Sequence, residues 1–302
     1  MKPEPMISVV ICTRNRSASL RRTLDVIGQL SSPADASWEV VIVDNHSSDD
    51  TKATVEEFAR RSSVSVRYVF EAKKGLSHAR NAGLRHGRGE IIAFTDDDIL
   101  PDAKWLVHIS EECSAYPSVS MFFGQTRPFR PGVAKISMRE GDSAAVYQFP
   151  CNPAEPGCGN NMIFRRDVLN AVGEFDIDLG PGVPIAGAEE TDFTYRVLRS
   201  GGVVRYSPTI LVYHDHDRLT RRAIHSVLFS YGKGRGGYYC KHMMQRDLWA
   251  TKMCYWEIRY FVASIVKKGR GIAALIHLSG MAIGAAMRLA MEIKGPRSEY
   301  SR

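Results

Sequence analysis

Three short apolar runs, 6–12 (MISVVIC), 38–43 (WEVVIV) and 91–94 (IIAF), each break at a polar cluster. The clusters are Thr13-Arg14-Asn15-Arg16, Asp44-Asn45-His46-Ser47-Ser48-Asp49-Asp50-Thr51 and Thr95-Asp96-Asp97-Asp98. A β-branched run apolar at consecutive positions reads as a strand buried on both faces, the signature of a parallel sheet. Parallel strands need crossovers, and the intervening segments provide them. Leu20, Leu24, Ile27 and Leu30 recur at helical spacing, 52–60 and 77–84 read as helices, and 64–70 reads as a further strand. This alternation predicts an α/β fold, in which ligands collect at the carboxyl ends of strands, where the polar clusters stand.

Beyond Pro101 the pattern predicts a helix over 103–115, a strand near 119–124 and a Pro/Gly-rich region at 127–157. A helix then opens at Arg166-Asp167-Val168, helical spacing covers 189–200, and a strand at 209–213 ends at His214-Asp215-His216-Asp217. With 302 residues, 44% hydrophobic and 24% charged, the chain is long enough for one large or two modest domains and too ordinary in composition for a disordered or fibrous protein. Six cysteines at irregular spacing, with no C-x-x-C pair, fit neither a zinc module nor a dense disulfide framework and point to a reducing compartment. The opening MKPEPMISVV does not read as a secretory signal. Charge is uneven: residues 218–302 hold 16 Lys and Arg against 4 Asp and Glu, leaving 24 against 29 for the rest. An acidic body thus carries a basic tail, suited to nucleic acid, anionic lipid or a phosphorylated ligand.

Three adjacent carboxylates at a strand tip repel one another unless a divalent cation or N–H donors offset them. If the strand continues through them, Asp96 and Asp98 share a side, so that one can hold a metal and the other a ligand hydroxyl. Mg²⁺ and Mn²⁺ take one or two protein carboxylates plus substrate phosphates, which implies a phosphorylated ligand. In the second cluster Ser48 or Asp49 is placed to cap a helix, whereas Asp44, at the strand tip itself, is placed to accept from a nucleotide base or ribose. His214 and His216, two residues apart on a strand, face the same way, and spacing does not choose between them.

Five segments in this order, SVVICTRNR, VVIVDNHSSDDT, GLSHARNAGLRHGRGEIIAFTDDD, GCGNNMIFRR and AGAEETDFTYRVLRSGG, resemble the inverting glycosyltransferase family 2 over roughly residues 6–217. The resemblance implies a GT-A fold, a Rossmann-like, mainly parallel sheet flanked by helices. It implies that Asp96 faces the ribose of a nucleotide-sugar donor, that Asp98 holds Mn²⁺ or Mg²⁺ on the diphosphate with His214 opposite, and that Asp44, Thr13, Arg80 and Asn81 line the nucleotide pocket. The catalytic base falls on Glu190 of Glu189-Glu190-Thr191-Asp192, one methylene longer than the family's usual Asp, with Glu189 the second candidate. Gly159, Asn160, Asn161 and Asp192 fall on the acceptor side.

In the tail, Gly232-x-Gly234-x-x-Gly237 satisfies a dinucleotide-binding pattern but follows a helical segment, LTRRAIHSVLFSY, so it reads as a linker or a basic loop with Lys233 and Arg235 near phosphates. From 246 onward Lys252, Arg259 and Arg270 fall near one helical face amid aromatics, and the uncharged run 271–287, flanked by Lys267, Lys268, Arg270 and Arg288, is short for a span.

Together these readings predict a catalytic domain over 1–217, with 1–98 binding the nucleotide-sugar and 99–217 the acceptor, and a basic helical extension over 218–302. The expected activity is metal-dependent inverting transfer from a nucleotide-diphosphate sugar, UDP first, to a saccharide or lipid-linked acceptor in cell-surface polysaccharide or glycolipid synthesis. The expected place is the cytoplasmic face of the cell membrane, through peripheral contact of 246–291 with anionic lipid and without nucleic acid. A sugar-phosphate nucleotidyltransferase is the alternative, although TRNRSAS lacks its Gly-rich phosphate loop; an inactive membrane- or polysaccharide-binding protein is the other.

Overall fold

The computed structural model describes residues 6–34, 36–216, 220–267 and 271–293. They form two compact units, one of residues up to 175 together with 193–217, the other of 176–192 together with the residues after 217. The boundary expected at 217/218 lies outside the described residues.

The first unit opens with β1 (Ile7–Thr13), α1 (Ser17–Ile27), β2 (Trp38–Asp44), α2 (Thr51–Arg61), β3 (Ser65–Phe70), α3 (Leu76–His86) and β4 (Ile91–Asp96). It continues with β5 (Ile99–Pro101), α4 (Trp105–Ala115), β6 (Met121–Pro128), β7 (Ala145–Tyr147), β8 (Asn161–Arg165) and α5 (Val168–Val172). It ends with the later turns of α6 (Glu189–Arg199) and with β9 (Val204–His214). The described strands make one sheet in the order β3-β2-β1-β4-β8-β6-β9-β5, with β7 on β9. The first four are parallel, as the sequence predicts; β8 enters antiparallel to both β4 and β6. β5, three residues directly after the acidic turn, is too short to leave a pattern in the sequence.

The central strands are buried on both faces because residues 9–12 and 40–43 are apolar at every position, while buried Ser8 and Glu39 before them satisfy each other at 2.8 Å. Ile7, Val9 and Ile11 of β1 join Val40 and Ile42 beneath α1, α2 and α4, while Val10 and Cys12 join Val41 and Val43 on the opposite face with Ala79 and Ala82 of α3. Each fully buried Val or Ile contributes about 1.5–3 kcal/mol, so the sheet is rigid where it meets the site. Register aligns the tips, Thr13 opposite Asp44 and Cys12 opposite Asp96.

The second unit contains α7 (Arg221–Met244), α8 (Leu248–Ile265) and α9 (Gly271–Ile293). The glycine motif expected to be a linker or basic loop lies in mid-α7. The reason is packing: Gly232 and Gly236 of α7 meet Gly280 and Gly284 of α9, and an added Cβ at Gly232, Gly236 or Gly284 would overlap a backbone carbonyl of the facing helix, His277, Met281 or Lys233 respectively. Both helices thus carry Gly-x-x-x-Gly, the spacing that lets helix axes approach closely. Lys233 and Arg235 are committed within the unit, Lys233 Nζ to the Pro184 carbonyl (3.1 Å) and Arg235 Nε to Glu257 Oε2 (3.0 Å). A backbone neighbour cannot swing aside, so Gly236→Val and Gly284→Val are each expected to cost on the order of 3 kcal/mol, read as an early loss of helical signal in thermal melts.

α8 ends at Ile265, so Lys252 and Arg259 share a helix and Arg270 lies outside the described residues, as does Lys268. α9 is long and apolar enough to cross a membrane, yet Ala274, His277, Gly280, Met281, Gly284 and Arg288 are buried at helical spacing along it. Arg288 Nη1 pairs with Asp176 Oδ2 at 3.1 Å, and Lys241 Nζ lies 2.8 Å from both Asp176 Oδ2 and Asp192 Oδ1. Burial alone would raise the Asp176 carboxyl, but Lys241 and Arg288 outweigh it and hold the group below its ordinary value. A carboxyl depressed in the folded state stabilises above its unfolded value of about 3.9 and loses that contribution as pH falls through the folded value. The urea midpoint of this unit is expected to drop between about pH 5 and pH 3, and less so in Asp176→Asn.

Candidate donor site

The tips of β2, β1 and β4 carry the site. Asp44 is buried, its Oδ1 accepting from the Ser47 amide (2.8 Å) and its Oδ2 from the Tyr68 hydroxyl (2.7 Å). Burial and this carboxylate together push the Tyr68 phenol well above its ordinary value. Asn45 accepts from the Gly75 amide (2.8 Å) and donates to the Lys73 carbonyl (2.8 Å), tying the loop before α3 to the same tip. Asp49 bonds the Thr51 amide (3.2 Å) at the start of α2 and also the Ser17 amide (2.9 Å) at the start of α1, so it binds two helix N-termini; burial would raise its carboxyl, but the bonds from Thr51 and Ser17 together outweigh it and hold the group down to about 2. Asn15 and His46, facing one another's loops, hold positive φ values of 53° and 63°, a conformation that costs a non-glycine residue about 1 kcal/mol or more.

Asp96 closes β4, but the strand does not continue. Asp97 and Asp98 form a turn, which corrects the expectation that Asp96 and Asp98 share a strand face. Asp97 instead turns back to β1, accepting from Thr13 Oγ1 (2.7 Å) and pairing with Arg16 Nη1 (3.1 Å); burial pushes its carboxyl up to about 7. Asp98 pairs with Arg16 Nη2 (2.9 Å) and faces His214 Nε2 (3.5 Å). Burial would raise Asp98, but His214 and Arg16 overcome it and keep the group strongly ionised. For Asp96 burial wins, with Asp98 adding to it and Arg80 opposing, and the carboxyl is raised.

The strand end bearing His214 is zipped to this turn through the Asp215 amide on the Asp98 carbonyl (2.8 Å) and the pairing of Ile99 with His214. His214 and His216 are both buried, their rings 4.6 Å apart and edge to face. Asp215 is buried between Arg22 (3.4 Å) and Arg130 (2.7 Å), two cations about half exposed at the rim. Asp98 and His214 fit a divalent cation, being a buried carboxylate and imidazole side by side, with His214 Nδ1 buried and without a hydrogen-bond partner. Among the described residues no three His, Cys, Asp or Glu side chains form a group able to hold a metal ion, so this pair would supply two ligands and leave the remaining positions to phosphate oxygens and water.

Arg80 is buried over the rings of Phe94 (5.6 Å) and Phe175 (5.5 Å), with Nη2 3.4 Å from the Gly159 carbonyl. A Cβ at Gly159 would come within 2.7 Å of that nitrogen, so a side chain there would push the guanidinium aside. Asn81 clamps the Phe175 backbone from both ends of its amide, each bond 2.9 Å. Asn160 bonds Thr126 Oγ1 (3.2 Å) and the Ser137 carbonyl (3.0 Å), and Asn161 bonds Trp105 Nε1 (3.0 Å) and the Gln125 and Ile210 carbonyls (3.1 and 2.9 Å). These amides brace β6, β8 and β9 from within. Asn161→Ala would strip Trp105 and two buried carbonyls of their partners, and is expected to lower stability by about 2–4 kcal/mol in denaturant titrations.

In the second unit Glu189 and Glu190 open α6 with Asp192, three acids at the positive end of a helix dipole. They follow Gly187 (φ 110°) and Ala188 (φ 64°), a left-handed pair that sets the direction of entry. Asp192 is fully buried, accepting from Lys241 and from His242 Nε2 (2.8 Å). Sequence reasoning missed Arg16, Tyr68 and the Arg22–Asp215–Arg130 cluster. Arg16 and Asp215 stood inside quoted motifs, whereas Tyr68, on an ordinary strand, gives no signal.

Residues 8–173, which contain β1, β2, β4 and the acidic turn, match the model of the family described as glycosyl transferase family 2. The chain belongs to glycosyl transferase family 2. Among its relatives, the succinoglycan biosynthesis protein ExoM of Rhizobium meliloti is 27% identical over 209 residues, 68% of this chain and 66% of that protein. The glycosyltransferase AglE of Haloferax volcanii is 30% identical over 70% of this chain and 67% of its own. The chain thus spans about two thirds of the length of these relatives. The fold is that of the mannosyltransferase PcManGT of Pyrobaculum calidifontis, solved with GDP-Man and Mn²⁺, at a TM-score of 0.65 and 22% identity over 97% of this chain and 80% of that one. As expected, the fold is GT-A, an α/β sheet flanked by helices.

Proposed function

We propose that this family 2 chain is a metal-dependent inverting glycosyltransferase, moving a sugar from a nucleotide diphosphate, UDP first, to a hydroxyl of a saccharide or lipid-linked acceptor. The observation that carries it is the convergence of Asp44, Asp96 and the Asp98–His214 pair at the carboxyl ends of adjoining strands. Asp44 meets the base, with Thr13 and Tyr68 holding the tips in line; Asp96 accepts from the ribose; Arg80, fixed by its two rings and Gly159, keeps positive charge beside the nucleotide. Asp98 and His214 would hold Mn²⁺ or Mg²⁺, which when bound neutralises charge on the departing diphosphate. Glu190 removes the acceptor proton as the hydroxyl oxygen attacks the anomeric carbon in line, so one displacement inverts that centre. Residues 1–98 serve the donor and 99–217 the acceptor, with Gly159, Asn160 and Asn161 as the frame of the acceptor side and Asp192 anchoring the helix that bears the base. The GDP-Man bound by PcManGT makes GDP-sugars the second donor class to try.

The reading extends to place: the basic helical residues 246–291 dock on the cytoplasmic face of the cell membrane, in polysaccharide or glycolipid synthesis. Exposed Lys252 and Arg259 sit against Trp249 (5.1 Å) and Trp256 (5.5 Å), pairs that suit an anionic interface. The buried stripe along α9 favours docking over spanning. The deciding experiment is release of nucleoside diphosphate from a panel of UDP- and GDP-sugars with acceptor saccharides, with and without Mn²⁺. Release that needs both acceptor and metal supports the reading; donor binding without release in any combination overturns it. For the membrane, the full chain is expected to sediment with anionic vesicles at low salt and the Lys252→Glu/Arg259→Glu variant several-fold less.

A further inference from the structure

Of twenty large hydrophobic side chains that stand exposed among the described residues, sixteen belong to the second unit. They include Leu248, Tyr255, Trp256, Tyr260 and Val262 on α8 and Ile272, Leu275 and Ile283 on α9. Exposed apolar side chains gathered in one unit mark an interaction face. Between α7, α8 and α9 the same unit holds a cavity of about 480 Å³, walled by Cys240, Met243, Met244, Cys254, Ile258 and Leu278 among others. Its size suits a small ligand, since such pockets run to roughly 300–1,000 Å³.

The wall decides the class of ligand. It bears no charged side chain, and its tyrosine, Tyr239, spends its hydroxyl on Glu257 and Arg235 (2.6 Å each), so it offers the cavity its ring. Nothing there would recognise a sugar or a phosphate. Methionine and cysteine side chains are soft and adaptable, as a flexible hydrocarbon requires. A cation follows the lining segment: Arg246 stands exposed at the turn after Met243 and Met244, whereas helical spacing turns Lys252 and Arg259 of α8 away from the lining residues Cys254 and Ile258. An apolar cavity with such a cation after its lining segment complements a molecule with a long tail and an anionic head.

We propose that this cavity takes one acyl chain of an anionic membrane phospholipid. The proposal deepens the membrane reading, turning a docked surface into one that holds a single lipid by its tail while Arg246 meets the head.

The test uses the full chain with palmitoyl lysophosphatidylglycerol kept below its micellar concentration. Native mass spectrometry should show one lipid per chain, and alkylation of Cys240 and Cys254 should slow at least fivefold, while Cys151 and Cys158 of the first unit react unchanged. Palmitoyl lysophosphatidylcholine should bind at least fivefold more weakly. Ala282→Phe, at the cavity wall, should lose the adduct yet still sediment with phosphatidylglycerol vesicles. Unchanged alkylation of Cys240 and Cys254 in the wild-type chain at saturating lipid overturns the proposal, whatever the variant does. So does a chain that dimerises through this face and excludes lipid, or one that binds both lysolipids equally. If the lysolipid protects both thiols but the chain ignores vesicles, the cavity assignment stands and the docking reading falls.

Discussion

Glu190→Gln is expected to leave nucleotide-sugar binding within about twofold of wild type while sugar transfer falls by on the order of 10²–10⁴-fold, the usual contribution of a positioned general base. The amide keeps the length and the hydrogen-bonding shape of the side chain and loses only the ability to take a proton. Glu189→Gln should cost much less. Both acids open α6 and both benefit from the helix dipole, so a dipole-only role predicts similar, small effects for the two variants. A transfer assay under saturating donor and acceptor separates these cases, and the opposite ranking moves the base to Glu189. Glu190→Asp restores the usual family residue and is expected to recover part of the activity, since either acid can act as base once its reach allows.

The legible part of this molecule is the part governed by short-range pattern. Runs such as VVIV ending at Asp44 declare both a doubly buried strand and the position of its tip, so the parallel half of the sheet and the place of the acidic cluster follow from residue order. What was not legible depends on partners distant in sequence. Tyr68 sits on an unremarkable strand and matters only because register sets β3 beside Asp44. The turn at Asp97 redirects that side chain to Thr13 and Arg16, which no periodicity along 91–98 encodes. Asn160 and Asn161 look like ligand-binding amides in a Gly-rich segment, yet they hydrogen-bond groups of the fold itself, Thr126, Ser137, Trp105, Gln125 and Ile210. The tail misleads for a different reason. Four glycines in six residues ordinarily argue against a helix, because each costs about 1 kcal/mol relative to alanine in a helix interior. Here close contact with α9 offsets that cost, and the compensating glycines, Gly280 and Gly284, lie more than forty residues away.

Asp98→Ala is expected to abolish transfer and to remove the metal dependence of nucleotide binding, with little loss of fold. The structure explains why the two effects separate. Arg16, whose side chain is 45% exposed, keeps Asp97 and water as partners when Asp98 is gone, so no cation is stranded in the interior. The surrounding strands are held by their apolar faces and by backbone pairing, including the Asp215 amide on the residue 98 carbonyl, which alanine retains. A loss of about 1–3 kcal/mol from a total of 5–15 leaves the chain folded. The function should not survive so well, because His214 alone is a single neutral ligand and gives a dication no charge compensation. Asp97→Asn is the contrast: the amide can still accept from Thr13, and Asp98 and His214 remain, so metal-dependent binding should persist. Calorimetric titration of UDP in Mn²⁺ and in chelator, beside a thermal melt, reads both consequences. Binding of UDP by Asp98→Ala with the wild-type dependence on Mn²⁺ would remove Asp98 from the metal site.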